Sequence, residues 1–118
     1  MNNKLLYIQS QNYRMIFLLA AYRRLAGLSA QKVADNMGVP RSTVTLLETG
    51  NRNATNDIIE KYSRCISKYF DYDSSAFLNA LNSYAQTMVL SDNEIRNNIN
   101  FINCVKNVSI SMLKQQFI

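Results

Sequence analysis

Gly27-Leu-Ser-Ala-Gln-Lys-Val-Ala-Asp-Asn-Met-Gly38-Val-Pro-Arg-Ser-Thr-Val-Thr-Leu-Leu-Glu-Thr-Gly50 holds all three glycines of the 118-residue chain. The spacing predicts two short helices joined by a tight turn, each closed by a glycine. Ser29 can cap the first, its hydroxyl accepting from an orphan amide of the opening turn. That helix runs from about Ala30 to Met37. Gly38 then takes the left-handed conformation that a glycine adopts without strain. Val39 plugs the angle between the helices. Pro40, the only proline, stands at the start of the next helix, where a missing N–H is harmless. The second helix runs from about Arg41 to Thr49, and Gly50 stops it.

Val33, Met37, Val39, Val44 and Leu47 form the apolar side of this unit. Val44 and Leu47 are three apart and share a helix face. Ala34 supplies the small side chain that a steep crossing needs. The outward positions of the second helix, Arg41, Ser42, Thr45 and Leu46, are short or basic and suited to base edges and phosphates. A helix-turn-helix of this size has one dominant use, the presentation of its second helix to the DNA major groove.

The stretch Gly27 to Asn53 resembles the lambda-repressor/Cro-like, or XRE, helix-turn-helix family. The residues that carry the likeness are Gly27-Leu-Ser29, Val33-Ala34, Gly38-Val39, Arg41-Ser-Thr-Val44 and Leu47-Glu-x-Gly50-x-Arg52, with extension back to Arg23 and forward to about Phe70. The resemblance implies an all-α fold: a five-helix DNA-binding domain with a C-terminal helical extension. It also implies contacts to DNA from Arg41, Ser42, Thr43, Thr45 and Leu46, with Asn51, Arg52 and Asn53 as a backbone-contacting loop. Arg41 is placed to read guanine or to hold a phosphate, and Thr43 to reach a phosphate flanking the groove. Gln31 stands one residue beyond the position, here Ala30, where the family often anchors a phosphate with glutamine. Leu46 stands where the family often has a polar residue; it can touch thymine methyls or meet a protein surface. Arg23 and Glu48 occupy the positions of a structural ion pair joining the first helix to the end of the recognition helix. Arg24 is left exposed or as a distant phosphate contact.

Composition agrees with a globular helical chain. Apolar residues make up 47%, Trp is absent, and strand-type alternation is hard to find. The formal net charge is +5. Residues 1–70 hold ten Lys/Arg against four Asp/Glu, and residues 71–118 three against four, so the basic excess lies with the helix-turn-helix. The chain has no His, which excludes His-based triads and His metal sites. No phosphate-cradling glycine loop is present. Asp71 and Asp73 sit in a turn and read as caps rather than metal ligands. Cys65 and Cys104 make no metal site and fit a reduced, cytoplasmic setting. Asn53-Ala-Thr55 and Asn107-Val-Ser109 match a glycosylation pattern without other signs of secretion. The apolar run Met15–Tyr22 is too short to span a bilayer and lacks the flanks of a signal peptide. These readings point to a non-enzymatic chain with no cofactor and no membrane partner.

Six helices are expected in all, the first over about Gln11–Ala26, with a possible extra turn at Lys4–Ile8 before it. That helix is apolar on more than one side, so it is expected to pack both on the DNA-binding unit and on the C-terminal region. The fourth helix runs over about Asn56–Tyr69, with Ile58, Ile59, Tyr62, Cys65, Ile66 and Tyr69 at helical spacing. The fifth runs over about Ser75–Leu90, with Phe77, Leu78, Leu81, Tyr84, Ala85 and Met88 as a buried stripe. The sixth spans about Asp92–Gln115, opened by a Ser91/Glu94 capping box. It carries two apolar stripes: Phe101, Val105, Val108 and Met112, and Ile95, Ile99, Ile102 and Leu113. One stripe can cover the first or fifth helix, which leaves the other for a partner. The expected organisation is a helix-turn-helix domain over 1–72, its motif proper at 29–49, and a C-terminal helical dimerisation or packing region over 73–118. Ile99, Phe101, Ile102, Val105, Val108 and Met112 are the candidate homodimer interface; the alternative is that both stripes enter the chain's own core.

Three functions fit. The leading one is a transcriptional regulator of bacterial, phage or plasmid type, a dimeric repressor that reads a palindromic operator in double-stranded DNA. The second is an antitoxin-type autorepressor whose C-terminal helices bind a toxin. The third is a protein-interaction or inhibitor module that retains the fold and binds a protein through Leu46 and the last helix.

Overall fold

A helix buried on almost every side organises the molecule. In the computed structural model of the protein, which describes residues 10–87 and 101–116, α1 spans Gln11–Leu25 and buries Tyr13 and the whole run Met15–Tyr22. A helix that is apolar all round must be enclosed by other elements, and α1 packs against four of them. Ser10 caps it by accepting from the Tyr13 amide at 3.2 Å.

The helix-turn-helix follows as read. α2 is Ala30–Met37, capped by Ser29, whose Oγ accepts from the Lys32 amide at 3.0 Å. Gly38 closes it at φ 71°, in the left-handed region. α3 is Arg41–Glu48, with Pro40 at its N-cap and Gly50 at φ 78° beyond its end. Val33, Ala34, Val44 and Leu47 are fully buried between them. α4 is Asn56–Phe70, capped by Thr55 and closed by Asp71 at φ 59°, a left-handed residue that is not glycine. Asp73 caps α5, Ser74–Thr87, through its carboxylate to the Ala76 amide at 2.8 Å. α6 is Phe101–Gln116. Among the described residues every regular element is helical.

One apolar cluster runs without a break from Val33 and Leu47 in the helix-turn-helix to Phe77, Leu81, Val108 and Met112. α6 lies against α1 and α5. Tyr22 is the hinge of that contact. Its ring meets Phe70, Tyr72 and Phe77 edge-on or nearly so, with centroids 5.6, 6.4 and 5.0 Å away. Its hydroxyl donates to the Val105 carbonyl at 3.2 Å and pairs with Ser109 Oγ at 2.9 Å.

The C-terminal expectations are revised accordingly. Val105, Val108 and Met112 were expected on a dimer face, but they are buried in the chain's own core. The second apolar side of α1 needs a cover, and this stripe of α6 supplies it. Ile99 lies outside the described residues, as do the side chains of Phe101 and Ile102, the Ser91/Glu94 box and Met88. Tyr69, expected in the core stripe of α4, is 55% exposed, its hydroxyl donating to the Ala26 carbonyl.

Burial pushes the Tyr22 phenol up to about 12 from an ordinary value of 10.0. A raised phenol pKa stabilises the fold below the unfolded value and loses that contribution as pH climbs through the folded one. Tyr22→Phe should lower stability by about 1–2 kcal/mol at neutral pH through the lost hydroxyl bonds. The gap between variant and wild type should narrow from about pH 10 towards 12, as followed by denaturant unfolding across that range.

Candidate nucleic-acid interface

Glu48, the last residue of α3, is a carboxylate only 7% exposed, and an acid so enclosed requires donors. Arg23 of α1 supplies two, Nε to Oε2 at 2.9 Å and Nη2 to Oε1 at 2.7 Å, a bidentate pair. The Tyr62 hydroxyl of α4 supplies a third at 2.6 Å. The remaining arm of Arg23 donates to the Leu28 carbonyl at 2.9 Å, in the loop that opens α2. Tyr13 donates to the Glu48 carbonyl at 3.2 Å. One guanidinium therefore ties together α1, the loop before α2 and the end of α3, with α4 joined through Tyr62. The bond to Glu48 raises the Arg23 pKa further, and burial beside the Glu48 charge lifts Tyr62 well above the usual phenol range. The expected ion pair is present, and it neutralises the only acidic side chain of α3.

The side of α3 turned from the core carries Arg41, Ser42, Thr45 and Thr49, all exposed, with Leu46 half-buried beside them. The loop that follows is locked onto the helix end, since the Asn51 and Arg52 amides both donate to the Leu46 carbonyl, at 2.9 and 3.1 Å. Gly50 makes that reversal possible. Asn12 of α1 holds the far end of the loop through the Ala54 carbonyl at 2.8 Å. Asn51, Arg52 and Asn53 are exposed and continuous with the α3 face. Arg41 and Arg52 are the charged side chains of this surface, one at each end of α3.

Two expected contacts are placed differently. Thr43 is only 6% exposed, so it does not stand at the surface to meet a phosphate. Its hydroxyl accepts from Arg52 Nη1 at 3.0 Å and thereby pins the arginine. Burial follows from helix geometry: Thr43, Val44 and Leu47 fall at i, i+1 and i+4, the core side of α3. Gln31 is exposed at the start of α2, but one of its amide hydrogens goes to Asp35 at 2.8 Å. Arg24 is exposed, as expected.

Tyr13, Tyr62 and Asn12 were not singled out for the site, yet they position it. Tyr62 carried a usable signal, since a tyrosine in a core stripe needs a partner for its hydroxyl. A glutamate closing a helix amid apolar neighbours needs donors in turn.

Glu48→Gln leaves Arg23 enclosed without its counter-charge. It should cost about 3 kcal/mol, within the range for one partner of a buried pair. Thermal unfolding should show a drop of about 10–20 °C. Thr43→Val keeps the shape and removes the acceptor that pins Arg52. It should weaken binding to all DNA sequences alike while leaving the salt slope intact. Arg52→Ala should reduce that slope by about 1, which anisotropy titrations at several salt concentrations distinguish.

No curated protein and no solved structure matches the chain. Residues 19–72 match a protein-family model described as helix-turn-helix. The matched segment holds the Arg23–Glu48 pair, both helices of the motif and the pinned loop. The segment 19–72 is therefore a helix-turn-helix of the lambda-repressor/Cro-like (XRE) kind, the unit of DNA-binding transcription regulators.

Proposed function

We propose that the protein is a site-specific repressor that binds a palindromic operator as a homodimer in the cytoplasm. The observation that carries this reading is the α3 surface: a row of short side chains bracketed by two arginines, with its one acid neutralised from behind. Arg41 stands at the first position of α3, where the helix end approaches the groove, and its fork matches guanine O6 and N7. Arg52, pinned by Thr43, serves a phosphate.

Dimerisation follows from size. An eight-residue recognition helix reaches only a few base pairs. Two copies about a two-fold axis read half-sites about one helical turn (~34 Å) apart and double the phosphate contacts. Because Val105, Val108 and Met112 are enclosed, the interface uses other residues, for which Ile99, Phe101 and Ile102 are the candidates. Ile110, 49% exposed on α6, supports an apolar outer side there.

In fluorescence anisotropy with an operator selected from random duplexes, Arg41→Ala should lose about 1–3 kcal/mol on that operator and little on scrambled DNA. Light scattering at micromolar concentration should give twice the monomer mass. Equal affinity for selected and scrambled duplexes removes the site-specific reading, and a monomeric mass removes the dimer.

A further inference from the structure

The two threonine hydroxyls of the exposed α3 face, Thr45 and Thr49, are turned back onto the helix. Thr45 Oγ1 donates back to the Arg41 carbonyl at 3.3 Å. Thr49 Oγ1 donates to the Thr45 carbonyl at 2.9 Å and the Leu46 carbonyl at 3.3 Å, and it accepts from Asn51 Nδ2 at 2.8 Å. A threonine whose hydroxyl is folded onto its own helix presents its methyl group instead. Leu46 lies on the same side, wholly apolar. Its carbonyl is clamped by the Asn51 and Arg52 amides, so its place at the helix end is fixed. Beyond Arg41 and Ser42 at the start of α3, the exposed side of the helix thus offers methyl groups and few donors.

In the major groove only thymine offers a methyl group, while either base pair also offers two acceptors and one amino donor. A G·C pair set against Thr45 and Leu46 offers them no methyl to bury, while its acceptors, like those of an A·T pair, find few donors there. An A·T pair presents the thymine methyl to these side chains, so burial of that methyl is what separates it from G·C. We propose that Thr45 and Leu46 are specificity-determining residues that select A·T pairs in each half-site by apolar contact with thymine methyls, next to the pair read by Arg41. The proposal rests on the site-specific DNA reading given above and names what that site recognises.

The experiment uses the full-length protein and the operator obtained by selection from random duplexes. Each thymine is replaced in turn by deoxyuridine, which removes the methyl and leaves the hydrogen-bonding edge unchanged. Affinity should fall about fourfold at one or two positions per half-site, the value of one buried methyl group. Leu46→Ala and the milder Thr45→Ser, each checked for folding by circular dichroism, should bind thymine and uracil operators equally at those positions. Two results overturn the proposal while leaving the site-specific reading intact. One is uracil bound as well as thymine throughout, with selected DNA still preferred over scrambled. The other is a selected half-site holding only G·C pairs beside the Arg41 position. Equal binding of selected and scrambled duplexes overturns the reading itself, and the proposal with it.

Discussion

The bond between Arg23 and Glu48 is the constraint on which the arrangement of the motif depends. Glu48 closes the recognition helix, where the helix dipole is already negative and where DNA would add more negative charge. Left alone there, a carboxylate is doubly unfavourable. Enclosed and held by Arg23 and Tyr62, it becomes a fixed joint. A bidentate pair is directional, so it sets the rotation of α3 as well as its distance from α1. The third arm of Arg23, on Leu28, gives the start of α2 the same reference. The two helices of the motif are therefore oriented from α1 as well as by their own small interface.

That arrangement makes α1 a shaft and explains why it is buried on so many sides. Tyr22 and Arg23 are neighbours in sequence with opposite partners: Tyr22 holds α6 through Val105 and Ser109, and Arg23 holds α3. A helix-turn-helix domain of this size encloses a small core and is marginal alone. α5 and α6 enlarge that core and cover the apolar side of α1 that α3 and α4 leave open. The C-terminal helices are thus part of what holds the reading head steady. Since α6 is engaged in this way, any pairing of two copies has to use surface that the single chain does not need.

The motif was legible in the sequence because its signals are local. Ser29, Gly38, Pro40 and Gly50 each act through one or two backbone groups nearby, and each stands in the structure where its chemistry requires. The all-round burial of α1 was legible too, since no amphipathic stripe accounts for Met15–Tyr22. Asp71 was not, because a left-handed aspartate carries no pattern until the turn around it is known. Thr43 looked like an outward residue because it is polar and lies beside Ser42. Its four-residue spacing from Leu47 placed it inward, and the structure follows spacing over polarity. The α6 stripes could not be told apart, since both have helical periodicity and the choice depends on what α1 presents. Tyr62 on Glu48 joins residues fourteen apart on different helices, a contact that only the assembled fold creates.

Pinning both ends of the site has a consequence for how it divides its work. Arg52 is long and would lose much rotameric freedom on meeting a phosphate; bound to Thr43, it has lost part of it beforehand. The loop from Asn51 to Asn53 is likewise tied at Leu46 and at Ala54 before any DNA arrives. Ordering that is complete in the free protein is not charged to binding, so a small surface can still bind usefully. Rigidity also sharpens discrimination, because side chains on a fixed helix cannot shift to accommodate a wrong base pair. On the proposed DNA reading, a joint buried behind α3, a clamp at its far end and short side chains between them together favour selectivity from fit over affinity from area.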